Sequence, residues 1–428
     1  MTHETHVQLR EGGPWSEWSL TPEQAWELDR SELVDVRAAG RAGMSRLRAK
    51  DQVGAVRLGR GAGRVRLSID PKISVDRLMY LLGYAPDRLV WKEQQVDAVA
   101  RADLLPAVAH AFNRATRRAL RSGPLFGYRE TDDTLPVLRG RLRASDQLSR
   151  HRGLMVPLEV TYDEHTVDIP ENRLLLGAVR RLLRVPGLEP RLRAELQGFA
   201  AQLDGVTPHR PGAPLPAWQP SRLNQRYQPV LALAALILRG ASYEFENGRT
   251  VAVDGMVFRM WQVYEDFLGR ALGEALVTAV GGRAEPADRN HYLTAGRRHL
   301  LMPDLLHYLP GESGVSKPAI VVDAKYKRGF HRDDLYQMLA YCVRLGLDDG
   351  HLVYAGGNPN VVRVPVSGGE IRLHRHVLDL GLPHQQLRSR IDRLAVALAK
   401  SLPTSPRATG APSTGVWLPA SGPVPPSL

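Results

Sequence analysis

Apolar residues recur at three- and four-residue spacing across much of this chain, interrupted by short alternating or continuous apolar runs bounded by glycine and proline. The first spacing predicts amphipathic helices and the second predicts strands. "TPEQAWELDRS" begins with Thr21 as a cap, Pro22 in the first turn and Gln24 closing a capping box, so a short helix is expected. "DQVGAVRLGRGAGRVRLSIDPKI" reads as two strands joined by a glycine-arginine hairpin. Its loop carries glycines at 59, 61 and 63 but no GK[ST] ending, so it is expected to be a basic turn and not a phosphate cradle. "SVDRLMYLLGYA" and "QVDAVARADLLPAVAHAFNRATRRALRSG" predict helices, with Pro106 kinking or dividing the second. A strand-like stretch, "LMVPLEVTYDEHTVDIPENR", leads into amphipathic helices reaching about Leu203. The proline-rich "HRPGAPLPAWQP" (209–220) is expected to be a linker or long loop, and "RYQPVLALAALILRG" a further helix.

A second unit begins near Val253. "MVFRMWQVYEDFLGRALGEALVTAVGG" predicts a long helix, and "HLLMPDLLHYL" and "AIVVDAKYK" predict two strands joined by "PGESGVSK". "HRDDLYQMLAYCVRLGL" is then a helix and "GHLVYAG" a strand, an α/β order in which the hairpin carries the unexpected polar residues. The expected architecture is mixed α+β: residues 1–240 mixing strands and helices, 250–400 forming a second domain, and 401–428 disordered, with seven prolines and one charge.

Composition narrows the class. With 428 residues the chain is long enough for two cores, and 43% hydrophobic and 24% charged residues are ordinary for a globular protein. No apolar run reaches the roughly 18 residues of a membrane span. The start, "MTHETHVQLREGG", lacks an apolar signal core, and the single Cys342 excludes a disulfide framework or thiolate zinc cluster. A reducing cytoplasm and no membrane partner are therefore expected. The net charge of +12 and pI near 10 favour a polyanionic partner such as DNA, although heavy arginine use throughout would give the same balance. Only seven basic residues are lysines, two of them Lys325 and Lys327, which points to a use for a compact ammonium there.

Strand alternation in "AIVVDAKYK" puts Val321, Asp323, Lys325 and Lys327 on one face and Ile320, Val322, Ala324 and Tyr326 on the other, so the charged face is expected to leave the core. Asp304 follows Pro303 in the middle of the expected partner strand, where aspartate is disfavoured. Glu265 falls within the apolar stripe of the preceding helix, between Trp261 and Leu268, while Asp266 points to the polar side. An inward carboxylate needs a partner, and a divalent cation is one candidate. The following helix is expected to cap at Asp333 or Asp334 and to stack Gln337 and Tyr341 one turn apart. The order E, PD, DxK, QxxxY suits Mg²⁺-dependent phosphodiester hydrolysis, because hard oxygen ligands leave coordination sites for water and a phosphate oxygen. Asp304 and Asp323 would ligate Mg²⁺ with the Ala324 carbonyl, Mn²⁺ being a substitute, and Glu265 would be a ligand or supporting acid. Lys325 would orient or activate water, and Gln337 with Tyr341 would position Lys325 or the DNA. DxK alone is usually a plain surface ion pair; the full ordered set is what favours a site.

"MPDLL", "VVDAKYK" and "DLYQMLAY" resemble the PD-(D/E)xK nuclease superfamily, in particular the branch with a QxxxY helix. "VRLSIDPKISVDRLMYLLGYA", "LRGRLRASDQ" and "DEHTVDIPENRLLLGAVRRLL" further resemble the McrC family, the nuclease subunits of McrBC restriction systems, and this likeness covers most of residues 50–360. It implies a restriction-endonuclease-like C-terminal domain and an N-terminal half that docks onto a GTP-hydrolysing AAA+ partner resembling McrB. Arg139 and Arg141 are candidates for stimulating that partner, with local pairing as the alternative. The chain has no Walker A lysine of its own. Residues 1–50 and the tail match nothing in the family pattern. An endonuclease subunit is the first reading, and a non-catalytic DNA-binding or motor-activating adaptor with a nuclease-like scaffold is the second.

Overall fold

The computed structural model describes residues 5–41, 43–82, 104–152, 154–185, 188–210, 213–239, 243–244, 250–251, 254–294, 296–311, 314–327, 329, 331–367 and 369–402. The expected tail disorder falls almost wholly at 403–428, outside the described residues. The fold is mixed α/β with several sheets, as the pattern predicts.

The N-terminal part comprises β1 (Thr5–Arg10), β2 (Ser16–Ser19), α1 (Pro22–Arg30), β3 (Val34–Ala38), β4 (Met44–Ala49), β5 (Gln52–Leu58) and β6 (Val65–Asp70). Thr21 caps α1 and the reciprocal Gln24 contact completes the capping box. β5 and β6 pair antiparallel, β1 adds in parallel to β6, and β2, β4 and β3 form a second small sheet. Their inward residues make one apolar cluster that includes Val7, Leu28, Leu47, Val56 and Leu67.

α2 (Val75–Leu82) and α3 (Leu104–Ala119) follow, with Pro106 lying within α3. Residues 83–103, where the helix was expected to begin, lie outside the described residues. β7 (Gly127–Leu135), β8 (Arg141–Leu142), α4 (Ala144–His151) and β9 (Leu158–Thr166) form a three-stranded unit, and α5 (Pro170–Leu182), α6 (Pro190–Gln202) and α7 (Gln228–Arg239) pack beside α3. Residues 209–220 form irregular chain where they are described.

The C-terminal part contains β10 (Tyr243–Glu244), β11 (Thr250–Val251), β12 (Asp254–Arg259), α8 (Met260–Val280), β13 (Arg283–Pro286), β14 (His291–Tyr292), β15 (Leu300–Leu301) and β16 (Leu305–Pro310). β17 (Ser316–Lys325), α9 (Arg332–Leu345), β18 (Asp349–Tyr354), β19 (Asn360–Val366), β20 (Gly369–Val377) and α10 (His384–Ala399) complete it. The long helix begins at Met260 and not at Met256: residues 254–259 pair as β12 with β5 of the N-terminal sheet. Gly54 (φ 138°) permits this approach, since a Cβ there would run into the Met256 carbonyl.

The six-stranded sheet runs β13-β16-β17-β18-β20-β19. β16 and β17 are antiparallel, and β17 and β18 are parallel with α9 as their crossover. α9 covers one face, where Val321 meets Met338, Tyr341 and Cys342; α8 and α10 cover the other, where Ile320, Val322 and Ala324 join the larger core. Gly350 lets α9 lie close, since a Cβ there would stand 2.6 Å from Cys342 Sγ and from Met338 Cγ.

Candidate active site at the end of the central strand

β17 is buried on both faces, so the expectation that its Asp323 side leaves the core is corrected: Asp323 is only 2% exposed. Alternation separates the faces correctly, but a strand covered by helices on both sides has no solvent face. Asp304 is also displaced from its expected place. It stands in a bend between β15 and β16, because Pro303 cannot donate to a sheet ladder and ends the pairing. Leu305 pairs with Val322, so the next position in register sets Asp304 against Asp323. Asp304 Oδ2 accepts the Ala324 N–H at 2.6 Å, and the two carboxyls lie within hydrogen-bonding reach.

α8 brings Glu265 to this point. Gly269, one turn further on, makes the approach possible: a Cβ there would lie 3.1 Å from the Asp304 carbonyl oxygen and 3.3 Å from Pro286 Cβ. The buried stripe runs through Met260, Val263, Tyr264, Phe267 and Leu268, so Trp261 is exposed, contrary to the expected stripe, and Glu265 is half-buried at its edge. Asp266 faces outward as expected.

Burial raises the pKa of Asp304 to about 9, helped by the neighbouring Asp323 and Glu265 charges. Burial and Asp323 likewise raise Glu265 to about 7. Asp323 is pushed up by burial, against the pull of Lys325. For Lys325 burial acts downward, but the carboxylates, Asp323 first, win and hold its pKa above the ordinary lysine value.

Lys325 Nζ forms an ion pair with Asp323 and donates to Gln337 Oε1 at 2.9 Å. Asp323 Oδ2 is buried, with the Lys325 ammonium as its ion-pair partner. Gln337 Nε2 in turn donates to the Tyr341 hydroxyl at 2.9 Å. All six expected site residues, Glu265, Asp304, Asp323, Lys325, Gln337 and Tyr341, thus converge.

α9 begins after His331 with no side-chain cap, which corrects the expected aspartate cap. Asp334 instead turns inward and accepts from the Tyr354 hydroxyl at 2.7 Å and from Lys327 Nζ at 2.9 Å. Sequence reasoning missed this triad; Lys327, sharing a face with Lys325, was the available signal. Arg139 and Arg141 lie elsewhere, exposed on the β7–β9 unit, with the Arg139 guanidinium 3.8 Å from the Tyr162 ring centre.

Glu265, Asp304 and Asp323 fit a hard divalent cation as a donor set. They supply only oxygens, and burial with Asp323 beside them holds the pKa values of Asp304 and Glu265 up, as expected of acids gathered where a cation could sit. Among the described residues, however, no three such side chains stand in a finished ligand arrangement, since Asp304 is engaged with the Ala324 N–H and Asp323 with Lys325. Binding would require these two contacts to loosen.

Fold and site together define an α/β protein with a carboxylate–lysine centre at the end of a parallel strand pair. Residues 47–355 match the family described as McrBC 5-methylcytosine restriction system component, and the chain belongs to that family. No individual curated protein matches in sequence. Among solved structures it is similar to a chain of a half-complex from the tetradecameric assembly of Thermococcus gammatolerans McrB AAA+ hexamers with bound McrC. That likeness has 16% identity and a TM-score of 0.49, and covers 91% of this chain and 99% of the other. It is also similar to a chain of the Thermococcus gammatolerans McrBC complex, at 18% identity and a TM-score of 0.38, covering 64% of this chain and 88% of the other. Among the described residues no helix is long and apolar enough to cross a membrane.

Proposed function

We propose that this chain is the Mg²⁺-dependent DNA endonuclease subunit of its McrBC-type system, of the PD-(D/E)xK class with a QxxxY helix. The observation that carries the reading is the convergence of Asp304, Asp323 and Glu265, all with raised pKa, around the Lys325 ammonium. Strongly perturbed acids clustered beside a buried cation are the arrangement by which a functional site is recognised.

Asp304, Asp323 and Glu265, with the Ala324 carbonyl, would hold Mg²⁺ or Mn²⁺, and the bound ion would supply Lewis-acid polarisation of a phosphate oxygen and a more acidic water. The chain's own groups do the rest. Lys325, fixed by Gln337, orients the water and offsets negative charge growing on the phosphate. Tyr341 fixes Gln337, and Lys327, held by Asp334, adds a second positive charge beside the path of the DNA backbone.

The family description supports a place in a restriction system acting at 5-methylcytosine. With no Walker A lysine, this chain would take its nucleotide-driven motion from a partner, proposed to be a GTP-hydrolysing AAA+ protein; AAA+ hexamers are what the Thermococcus gammatolerans McrC is bound to in its assembly. Arg139 and Arg141 are the proposed contacts for stimulating it. The test is cleavage of methylated plasmid by the full-length chain with the AAA+ protein encoded beside it, GTP and Mg²⁺. Retained partner binding with no cutting under any divalent ion would favour the adaptor role.

A further inference from the structure

Tyr326 is the central residue of a tight turn in which the Lys327 N–H bonds the Lys325 carbonyl at 2.8 Å. The turn sends both lysines into the site, Lys325 to Asp323 and Gln337, Lys327 to Asp334. The Tyr326 ring is buried in the larger core, 6.0 Å from the Tyr264 ring centre, and Lys72 Nζ, just past the end of β6, stands 3.8 Å from its centre.

Lys72 is itself held. Its Nζ lies 3.3 Å from Glu11 Oε1 and its backbone N–H donates to Glu11 Oε2 at 3.1 Å. The Glu11 side chain is fully buried, and the Glu11 N–H bonds the Asp70 carbonyl at 2.9 Å, which locks the ends of β1 and β6 together. These ties join two ends of the N-terminal sheet to the one residue between the two site lysines.

We infer that Glu11, Lys72 and Tyr326 form a positioning clamp through which the N-terminal sheet sets the placement of Lys325 and Lys327. None of the three touches the reacting groups; they act through the turn. A second tie runs alongside, since the Met260 N–H at the start of α8 bonds the Asp51 carbonyl at 3.1 Å, so the helix carrying Glu265 is referenced to the same sheet. Movement of the N-terminal sheet would therefore reach both the lysine turn and the Glu265 helix. This inference rests on the nuclease reading for its catalytic consequence, but the mechanical coupling stands without it.

The coupling is tested on the full chain by hydrogen exchange in the segment spanning residues 320–327, comparing wild type, Lys72→Met and Lys72→Arg. Lys72→Met keeps the stem but loses the cation over the ring, so exchange around the Lys327 amide is expected to rise about tenfold, while Lys72→Arg, which still stacks, stays within about twofold of wild type. Unchanged exchange in Lys72→Met, or an equal rise in Lys72→Arg, overturns the clamp. Should Lys72→Met fail to fold, Tyr326→Phe and Tyr326→Leu repeat the comparison, with protection kept in the first and lost in the second; equal protection in the two overturns it. In the cleavage assay Lys72→Met is expected to lower kcat about tenfold with KM for DNA unchanged, and Lys72→Arg to restore it. Asp304→Ala run in parallel separates the two readings. If it still cuts, the nuclease assignment fails; if it is dead while Lys72→Met has the wild-type kcat, the clamp alone fails.

Discussion

The Lys325 ammonium meets the Gln337 side-chain oxygen at 2.9 Å, and the Gln337 amide meets the Tyr341 hydroxyl at the same distance, so one glutamine bridges the lysine of β17 to the body of α9. Gln337 is exposed, and its hold on Lys325 is orientation more than fold stability. Gln337→Ala should therefore lower kcat for cleavage, on the order of ten- to a hundredfold, with little change in melting temperature. A large fall in melting temperature with unchanged kcat would assign Gln337 to the fold instead.

Asp304 gives a pH signature in the metal-free protein. Its pKa is raised from 3.8 to about 9 in the folded chain, so the unfolded state loses its proton first. The stability tied to that proton is present below about pH 4 and is lost as pH rises through 9. Thermal melts should decline across pH 6 to 9, and Asp304→Asn, which cannot ionise, should flatten the decline. A parallel decline in both proteins would place its origin elsewhere.

Divalent-ion binding should release protons. Glu265 and Asp304, with pKa values of about 7 and about 9, hold protons at neutral pH that a cation must displace. Isothermal titration of Mn²⁺ into the full-length chain at pH 7 in buffers of different ionisation enthalpy should show net proton release, and affinity should rise from pH 6 to 8. Binding with no proton release and no pH dependence would exclude these carboxyls as the ligands.

Gly269 should not tolerate a branched side chain. A Cβ there would lie 3.1 Å from the Asp304 carbonyl oxygen, so Gly269→Val should cost about 1–3 kcal/mol in denaturant unfolding and disturb the Asp304 bend. A variant as stable and active as wild type would show that α8 can shift freely.

Much of this was legible in the sequence, for identifiable reasons. The capping box at Thr21, the β5–β6 hairpin and the α9 pair Gln337 and Tyr341 are local devices whose spacing fixes their geometry. The site residues could be picked out because charge in an apolar strand and on an apolar helix face conflicts with burial. Errors arose where distant chain decides. Residues 256–259 carry a helix-compatible pattern but become strand because β5 offers an edge, with Gly54 allowing close contact. Asp323 looked exposed because alternation cannot reveal that helices cover both faces of β17. Asp334 reads as a cap because its partner Tyr354 lies twenty residues away, at the end of β18.

Single-turnover cleavage of methylated plasmid with the AAA+ partner, GTP and Mg²⁺ shows whether Asp304, Asp323 and Lys325 act together on a phosphodiester. Enzymes commonly supply rate enhancements of about 10⁶-fold or more, so Asp304→Ala and Lys325→Ala should each abolish detectable cutting while still binding the partner and leaving its GTPase stimulation intact. Wild-type cutting by both variants would mean that these groups take no part in the chemistry.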